Sequence, residues 1–95
     1  MFEWDENKNR ANKLKHNLSF EVAIRAFDDS SALFEFNSTA DDEDRYQITG
    51  RINGGLLIIV VVYTIRETNG QEKYRIISAR KASTSERQRY AEAAY

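Results

Sequence analysis

The chain reads as an α+β domain: two N-terminal helices, an antiparallel meander sheet of three to four strands, and a C-terminal helix. Three observations predict this. Apolar residues recur with a helical period up to about residue 30, switch to a strand period, and return to a helical one near residue 83. The strand-period half is punctuated by Asn53-Gly54-Gly55 and Asn69-Gly70, both hairpin signals. The 95 residues, 41% of them hydrophobic, leave room for one core and no second domain.

The elements follow in order. Asp5 is placed to cap a helix over Glu6 to His16, with Ala11 and Leu14 as a thin apolar stripe and Asn17 tolerating the left-handed exit. Ser19 caps a second short helix whose Phe20, Ala23, Ile24 and Phe27 share one face. Asp28 to Ser31 reads as a turn and Leu33 to Phe36 as a short strand. Asn37 to Asp44, ending in four consecutive acids, reads as a solvated loop. Arg45 to Ile52 alternates strictly, and Leu56 to Arg66 is apolar on both faces over most of its length, which marks the central strand. Glu72 to Arg80 is the return strand. Ser83-Thr84-Ser85-Glu86 matches a capping box and opens a helix that carries Tyr90, Ala91 and Ala94.

Composition excludes several chemistries. With no cysteine and one histidine, His16, a single chain offers no disulfide, no thiolate nucleophile and no multi-histidine metal site, so neither metal nor cofactor is expected. The acidic start Met1 to Asp5 lacks the pattern of a signal peptide. The longest apolar run, Leu56 to Tyr63, falls far short of the ~20 residues of a membrane helix. The expectation is a soluble, cytoplasmic protein. The net charge of −1 conceals an asymmetry. Residues 1–44 hold five Lys and Arg against eleven Asp and Glu, whereas residues 45–95 hold nine against four.

Strand register turns that asymmetry into a surface. Two-residue hairpin loops place Arg45, Gln47, Thr49 and Arg51 on the face of Ile58, Val60, Val62, Thr64 and Arg66, and add Lys73 and Arg75 to it. This face holds no acid, while Tyr46, Ile48, Ile59, Val61 and Ile76 form an opposite, core face. Clustered arginines suit phosphate, since the guanidinium makes planar, bidentate contacts. Equally, they serve as a solvated surface or pair with the acids of the first half.

Phe2-Glu3-Trp4-Asp5, Lys8, Lys15-His16, Ser19-Phe20-Glu21 and Phe27-Asp28-Asp29 resemble the opening of the BrnT toxins. Gly50-Arg51, Val61-Val62-Tyr63-Thr64 with Arg66, the run Arg75 to Ala82, Glu86-Arg87 and Tyr90 extend the resemblance over nearly the whole chain. Asn17 and Ser30 stand where the family usually has glycine and proline, and Thr49 separates Ile48 from Gly50. The resemblance implies a RelE-like ribonuclease of a type II toxin–antitoxin pair. It further implies a BrnA-like ribbon-helix-helix antitoxin as partner, a toxin–antitoxin heterotetramer, and operator DNA reached only through the antitoxin.

Cleaving RNA without a metal requires a base for the 2′-hydroxyl proton, an acid for the leaving 5′-oxygen and cations around the phosphorane. Arg66 and Arg51 on the basic face suit the cationic role. Arg80, strong in the family pattern, is a third candidate, although simple alternation points it at the core. His16 has the pKa range for proton transfer and equally suits a helix end. Tyr63 suits proton donation or base stacking, against a position that predicts burial. Arg45, Lys73, Arg75 and Lys8 are candidate RNA contacts. Glu86 is a possible base that the capping box explains more simply. A non-catalytic module that binds RNA or the antitoxin is the alternative function.

Overall fold

The computed structural model describes residues 1–93. A short strand, β1 (Phe2–Glu3), precedes α1 (Glu6–His16) and α2 (Phe20–Ala23), and a 3-10 turn (Ile24–Asp28) follows. Four long strands come next: β2 (Leu33–Ala40), β3 (Glu43–Ile52), β4 (Leu57–Thr68) and β5 (Gln71–Lys81). The last element is α3 (Thr84–Ala93). The class is α+β as expected, with three helices. The sheet, however, has five strands in the order β1-β5-β4-β3-β2. β2 to β5 form the antiparallel meander, and β1 joins β5 in parallel, pairing Phe2 with Tyr74 and Glu3 with Arg75. The sheet is therefore mixed, and β4 is its central strand.

Local chemistry sets the helix ends. The Asp5 carboxylate accepts the Asn7 N–H at 2.8 Å, and Asn17 leaves α1 in the left-handed conformation at φ 54°. The expected apolar stripe of α1 is not what it buries: Ala11 is exposed and Leu14 is 90% exposed. Its buried residues are Asn9 and Asn12. Asn12 Nδ2 donates to the carbonyls of Leu18 and Ala79, both at 2.8 Å, and its Oδ1 accepts the Ala79 N–H at 3.1 Å. β1 covers the outer edge of β5 only at Tyr74 and Arg75. The amide of Asn12 takes the place of a strand partner further along that edge, at Ala79.

α2 and the 3-10 turn bury Phe20, Ala23 and Ala26 against Ile48, Ile59, Val61 and Ile76 of the sheet. The approach is close: a Cβ on Gly50 would lie 2.9 Å from the Ala26 carbonyl oxygen. The second helix is shorter than its apolar spacing suggests, since Ile24 to Asp28 tighten into the 3-10 turn.

Asn37 to Asp44 is not a loop. Asp41 and Asp42 both take positive φ, 53° and 59°, and make a tight two-residue turn from which β2 and β3 extend. Asn69-Gly70 turns β4 into β5 the same way, at φ 53° and 77°. The first hairpin departs from a two-residue loop. Asn53 to Gly55 form a 3-10 turn, Leu56 is left 90% exposed, and the strand resumes at Leu57. Ile52 nevertheless pairs with Leu57, so the odd-sum register and the division of faces hold.

On the face away from α1 and α2 lies α3, started by the expected capping box. Ser83 Oγ accepts the Glu86 N–H at 3.2 Å, and Glu86 Oε1 accepts the Ser83 N–H at 2.8 Å. Tyr90 and Val60 are each 1% exposed. Ala91 is exposed, and Ala94 lies outside the described residues. Among the described residues no helix is long and apolar enough to cross a membrane.

Candidate active site

The arginine face is built in rows across the sheet. Thr49, Val60 and Arg80 pair across β3, β4 and β5, and Arg51 pairs with Ile58 one pleat further along. In the other direction come Gln47, Val62 and Ser78, then Thr64 with Arg75, then Arg66 with Lys73. Arg45, Arg51, Arg66, Lys73 and Arg75 share this face as the register predicted.

Arg80 joins them through an irregularity. From Thr68↔Gln71 to Tyr63↔Ile76 the β4–β5 pairing is regular, but Val62 then pairs with Ser78. Ile77 is the extra residue of a bulge, and it turns every later side chain of β5 over. Arg80 thereby faces the arginines, while Ala79 turns into the core at 0% exposure. Two adjacent apolar residues, Ile76-Ile77, in an otherwise alternating strand are the sequence signal of this bulge.

The expectation that this face lacks acids is overturned. Arg80 Nη1 and Nη2 meet Glu86 Oε1 and Oε2 at 2.6 and 2.9 Å, a bidentate pair. Arg75 pairs with Glu3 at 2.9 Å, Arg66 with Glu43 at 3.3 Å, and Arg89 with Glu35 at 3.2 Å. Each acid arrives from an element the register argument did not contain: β1, β2, the first residue of β3, or α3. The Glu86 carboxyl is held down to about 2 by the Arg80 guanidinium, together with its bonds to Ser83 and against its own burial. It is ionised at neutral pH and occupied, so it serves as an anchor for Arg80 rather than as a free base.

A second anchor fixes the backbone at Arg51. Asp29 Oδ2 accepts the Tyr90 hydroxyl at 2.5 Å and the Arg51 N–H at 2.8 Å, while Oδ1 accepts the Ser31 N–H at 2.9 Å. Burial works to raise the Asp29 pKa, but the bonds from Tyr90, Arg51 and Ser31 bring it below the ordinary value. Burial first, then the bond to Asp29, pushes the Tyr90 phenol up. The Arg51 guanidinium carbon lies 5.4 Å from the centre of the Tyr90 ring. Glu35 is half-buried on the same face and accepts from Gln47 Nε2 at 3.3 Å as well as from Arg89. Glu35, Arg89, Tyr90 and Asp29 are the residues that sequence reasoning missed. The first lies in the expected strand Leu33 to Phe36, whose pairing with β3 the hairpin signals do not fix, and the others needed α3 in place.

Three expected site residues are not assembled here. Tyr63 is on the core face at 5% exposure, stacked on Tyr74 at 5.4 Å between ring centres. Burial, with Tyr74 and Tyr46 adding to it, raises its pKa. His16 ends α1, in the helical layer on the opposite side of the sheet, and Lys8 is exposed on the same helix. Among the described residues, no three His, Cys, Asp or Glu come together as a metal site.

Fold and face together define a small α+β protein that presents carboxylate-braced arginines on an open sheet, a surface suited to phosphate. The chain belongs to the BrnT family: the family model described as "Ribonuclease toxin, BrnT, of type II toxin-antitoxin system" matches residues 4–86. The match takes in Arg51, Arg66, Arg80 and Glu86 and stops before Tyr90. No curated protein matches the chain. Membership makes the protein one of the ribonuclease toxins and implies an antitoxin as its partner.

Proposed function

We propose that the whole chain is one RelE-like toxin domain that cleaves RNA internally, without an obligatory metal, and so inhibits translation in the cytoplasm. A BrnA-like antitoxin neutralises it, and operator DNA is engaged only through that antitoxin. The observation that carries this reading is the convergence of Arg51 and Arg80 on one stretch of β4, the Arg80 guanidinium held by Glu86 and the Arg51 backbone by Asp29, in a chain of a ribonuclease family.

Arg51 and Arg80 stabilise the charge that builds on the phosphorane, and removing one such group costs roughly 10²–10³-fold in rate. Arg66 with Arg45, Lys73 and Arg75 extends the cationic path along the RNA backbone. The carboxylate of Glu35 is the proton-transfer group best placed on this face: it is half-buried, and Gln47 and Arg89 both donate to Oε1, whereas Arg80 takes both oxygens of Glu86. His16 and Tyr63 are proposed as structural residues.

The test is cleavage of naked RNA in EDTA by wild type beside Arg80→Ala and Arg51→Ala. Cleavage by wild type and a loss of about 100-fold or more in both variants is the expected result. Undiminished cleavage by both variants would move the site elsewhere. A second reading, a module that binds RNA or antitoxin without cutting, is favoured by one observation: the face's four ion pairs occupy Glu3, Glu35, Glu43 and Glu86 with arginine. Binding of RNA by wild type with no cleavage above a mock preparation would establish it.

A further inference from the structure

The helical layer leaves one end of its sheet face uncovered. Leu18, α2 and the 3-10 turn cover Ile48, Ile52, Ile59, Val61 and Ala79. Toward the Asp41-Asp42 and Asn69-Gly70 turns the same face is bare. Phe34 is 57% exposed, Phe36 60% and Ile65 41%. These side chains do not stand singly: Phe36 packs edge-on against Tyr46 at 6.0 Å, and Tyr46 lies 6.0 Å from Tyr63, which joins them to the core. A contiguous exposed aromatic surface on a small protein marks an interaction site more often than chance decoration.

The rim of this surface is acidic. Asp44 lies on this face at the start of β3, and Glu67 and Glu72 sit directly opposite each other near the end of the β4–β5 hairpin. Like charges facing across a ladder destabilise it unless a cation lies between them. Among the described residues none of these three carboxylates is in an ion pair. By strand alternation the cations of this end, Arg45, Arg66, Lys73 and Arg75, all point to the other face. An aromatic floor with an acidic rim that carries no lysine or arginine selects an occupant that offers apolar side chains between lysines or arginines.

We infer that this end of the helix-side face is the docking surface for the antitoxin, through a segment that places apolar side chains on Phe34 and Phe36 and basic ones against Glu67 and Glu72. The inference rests on the antitoxin partnership of the proposed function and not on RNA cleavage. It separates the two partners: nucleic acid goes to the arginine face, and the antitoxin goes to the opposite one.

The test titrates the purified protein encoded by the reading frame adjoining this chain's gene onto wild type, Phe34→Ser/Phe36→Ser and Glu67→Lys/Glu72→Lys, by calorimetry at low and high salt. Both double variants are expected to weaken binding at least tenfold, and the charge-reversal variant is expected to flatten its salt dependence. RNA cleavage and melting temperature are measured on the same samples, and both are expected to stay near wild type, because the altered side chains are exposed. Unchanged affinity in both variants overturns the inference, as does affinity lost only on Arg51→Ala or Arg80→Ala. Loss of RNA binding in the Phe variant overturns it in favour of base stacking. A wild-type dimer that the same substitutions dissolve overturns it in favour of self-association. If wild type cuts no RNA but the double variants still lose the antitoxin, the nuclease reading fails and this one stands.

Discussion

Glu86 is where three requirements meet on one side chain. It closes the capping box of α3, it forks onto Arg80, and it ties the helix to the far end of β5. Its carboxyl is depressed to about 2, with the Arg80 guanidinium as the main cause. A group depressed in the folded state adds stability that is fully present above its unfolded pKa and is lost as pH falls through the folded one. The window therefore runs from about 4.5 down to about 2. Glu86→Gln is expected to cost about 2–3 kcal/mol at pH 7 and less than half of that at pH 3, measured by urea unfolding at the two pH values. An equal cost at both would mean that packing, not charge, holds the pair. Sequence position alone could not decide such roles. Odd numbering did place Tyr63 in the core, and the capping box did pick out Glu86. Simple alternation points Arg80 at the core, and the bulge that its candidacy requires is what turns it to the arginines, with Ile76-Ile77 as its mark. His16 drew attention as the sole histidine, yet a unique residue type says nothing about which layer of the fold will hold it.

At the scale of elements, the polar contacts of α1 matter more than its apolar ones. Its buried side chains are Asn9 and Asn12, and Asn9 Oδ1 accepts the Phe20 N–H at 2.8 Å where α2 begins. Asn12 satisfies two carbonyls and one N–H, two of these groups on the β5 edge. A buried backbone group left without a partner costs about 1–3 kcal/mol. Asn12→Leu, close in volume but without hydrogen-bonding groups, is expected to destabilise by about 3 kcal/mol and to speed amide exchange at Ala79 selectively. Wild-type exchange at Ala79 in that variant would show that β5 holds its edge unaided. This device was illegible in the sequence because helical periodicity looks for apolar stripes, and a helix that docks on a strand edge carries amides there instead. β1 escaped notice for a related reason: two residues have no period. β2 was cut short because Asn37 to Asp44 is polar, and polarity was read as solvent exposure. Asp41-Asp42 is nonetheless a left-handed pair, and an eight-residue edge strand, bulged at Asn37, reaches it. The long central strand and the Asn69-Gly70 turn were legible, since each follows from strong local chemistry that tertiary packing reinforces.

Across the whole molecule the near-zero net charge results from segregation, not from mixing. The turn end of the sheet carries Arg45, Arg66, Lys73 and Arg75 on one face and Asp44, Glu67 and Glu72 on the other. Alternation along antiparallel strands produces this: successive residues of opposite charge, as in Asp44-Arg45 and Arg66-Glu67, are sent to opposite sides. Long-range attraction of nucleic acid is weak for a chain of net charge −1, so RNA affinity must come from contacts within a Debye length of the arginine face. Each arginine that meets a phosphate of single-stranded RNA releases counterions and adds about 0.7 to the slope of log affinity against log salt. Arg66, with about half of its side chain exposed, must leave Glu43 to do so. If it does, Arg66→Gln lowers that slope by about 0.7 on an RNA oligonucleotide blocked at its 2′-hydroxyls, and Glu43→Gln, which frees the guanidinium, raises affinity at low salt. A slope unchanged by Arg66→Gln would leave that arginine to its ion pair and confine the RNA path to Arg51, Arg80 and the sheet beneath α3.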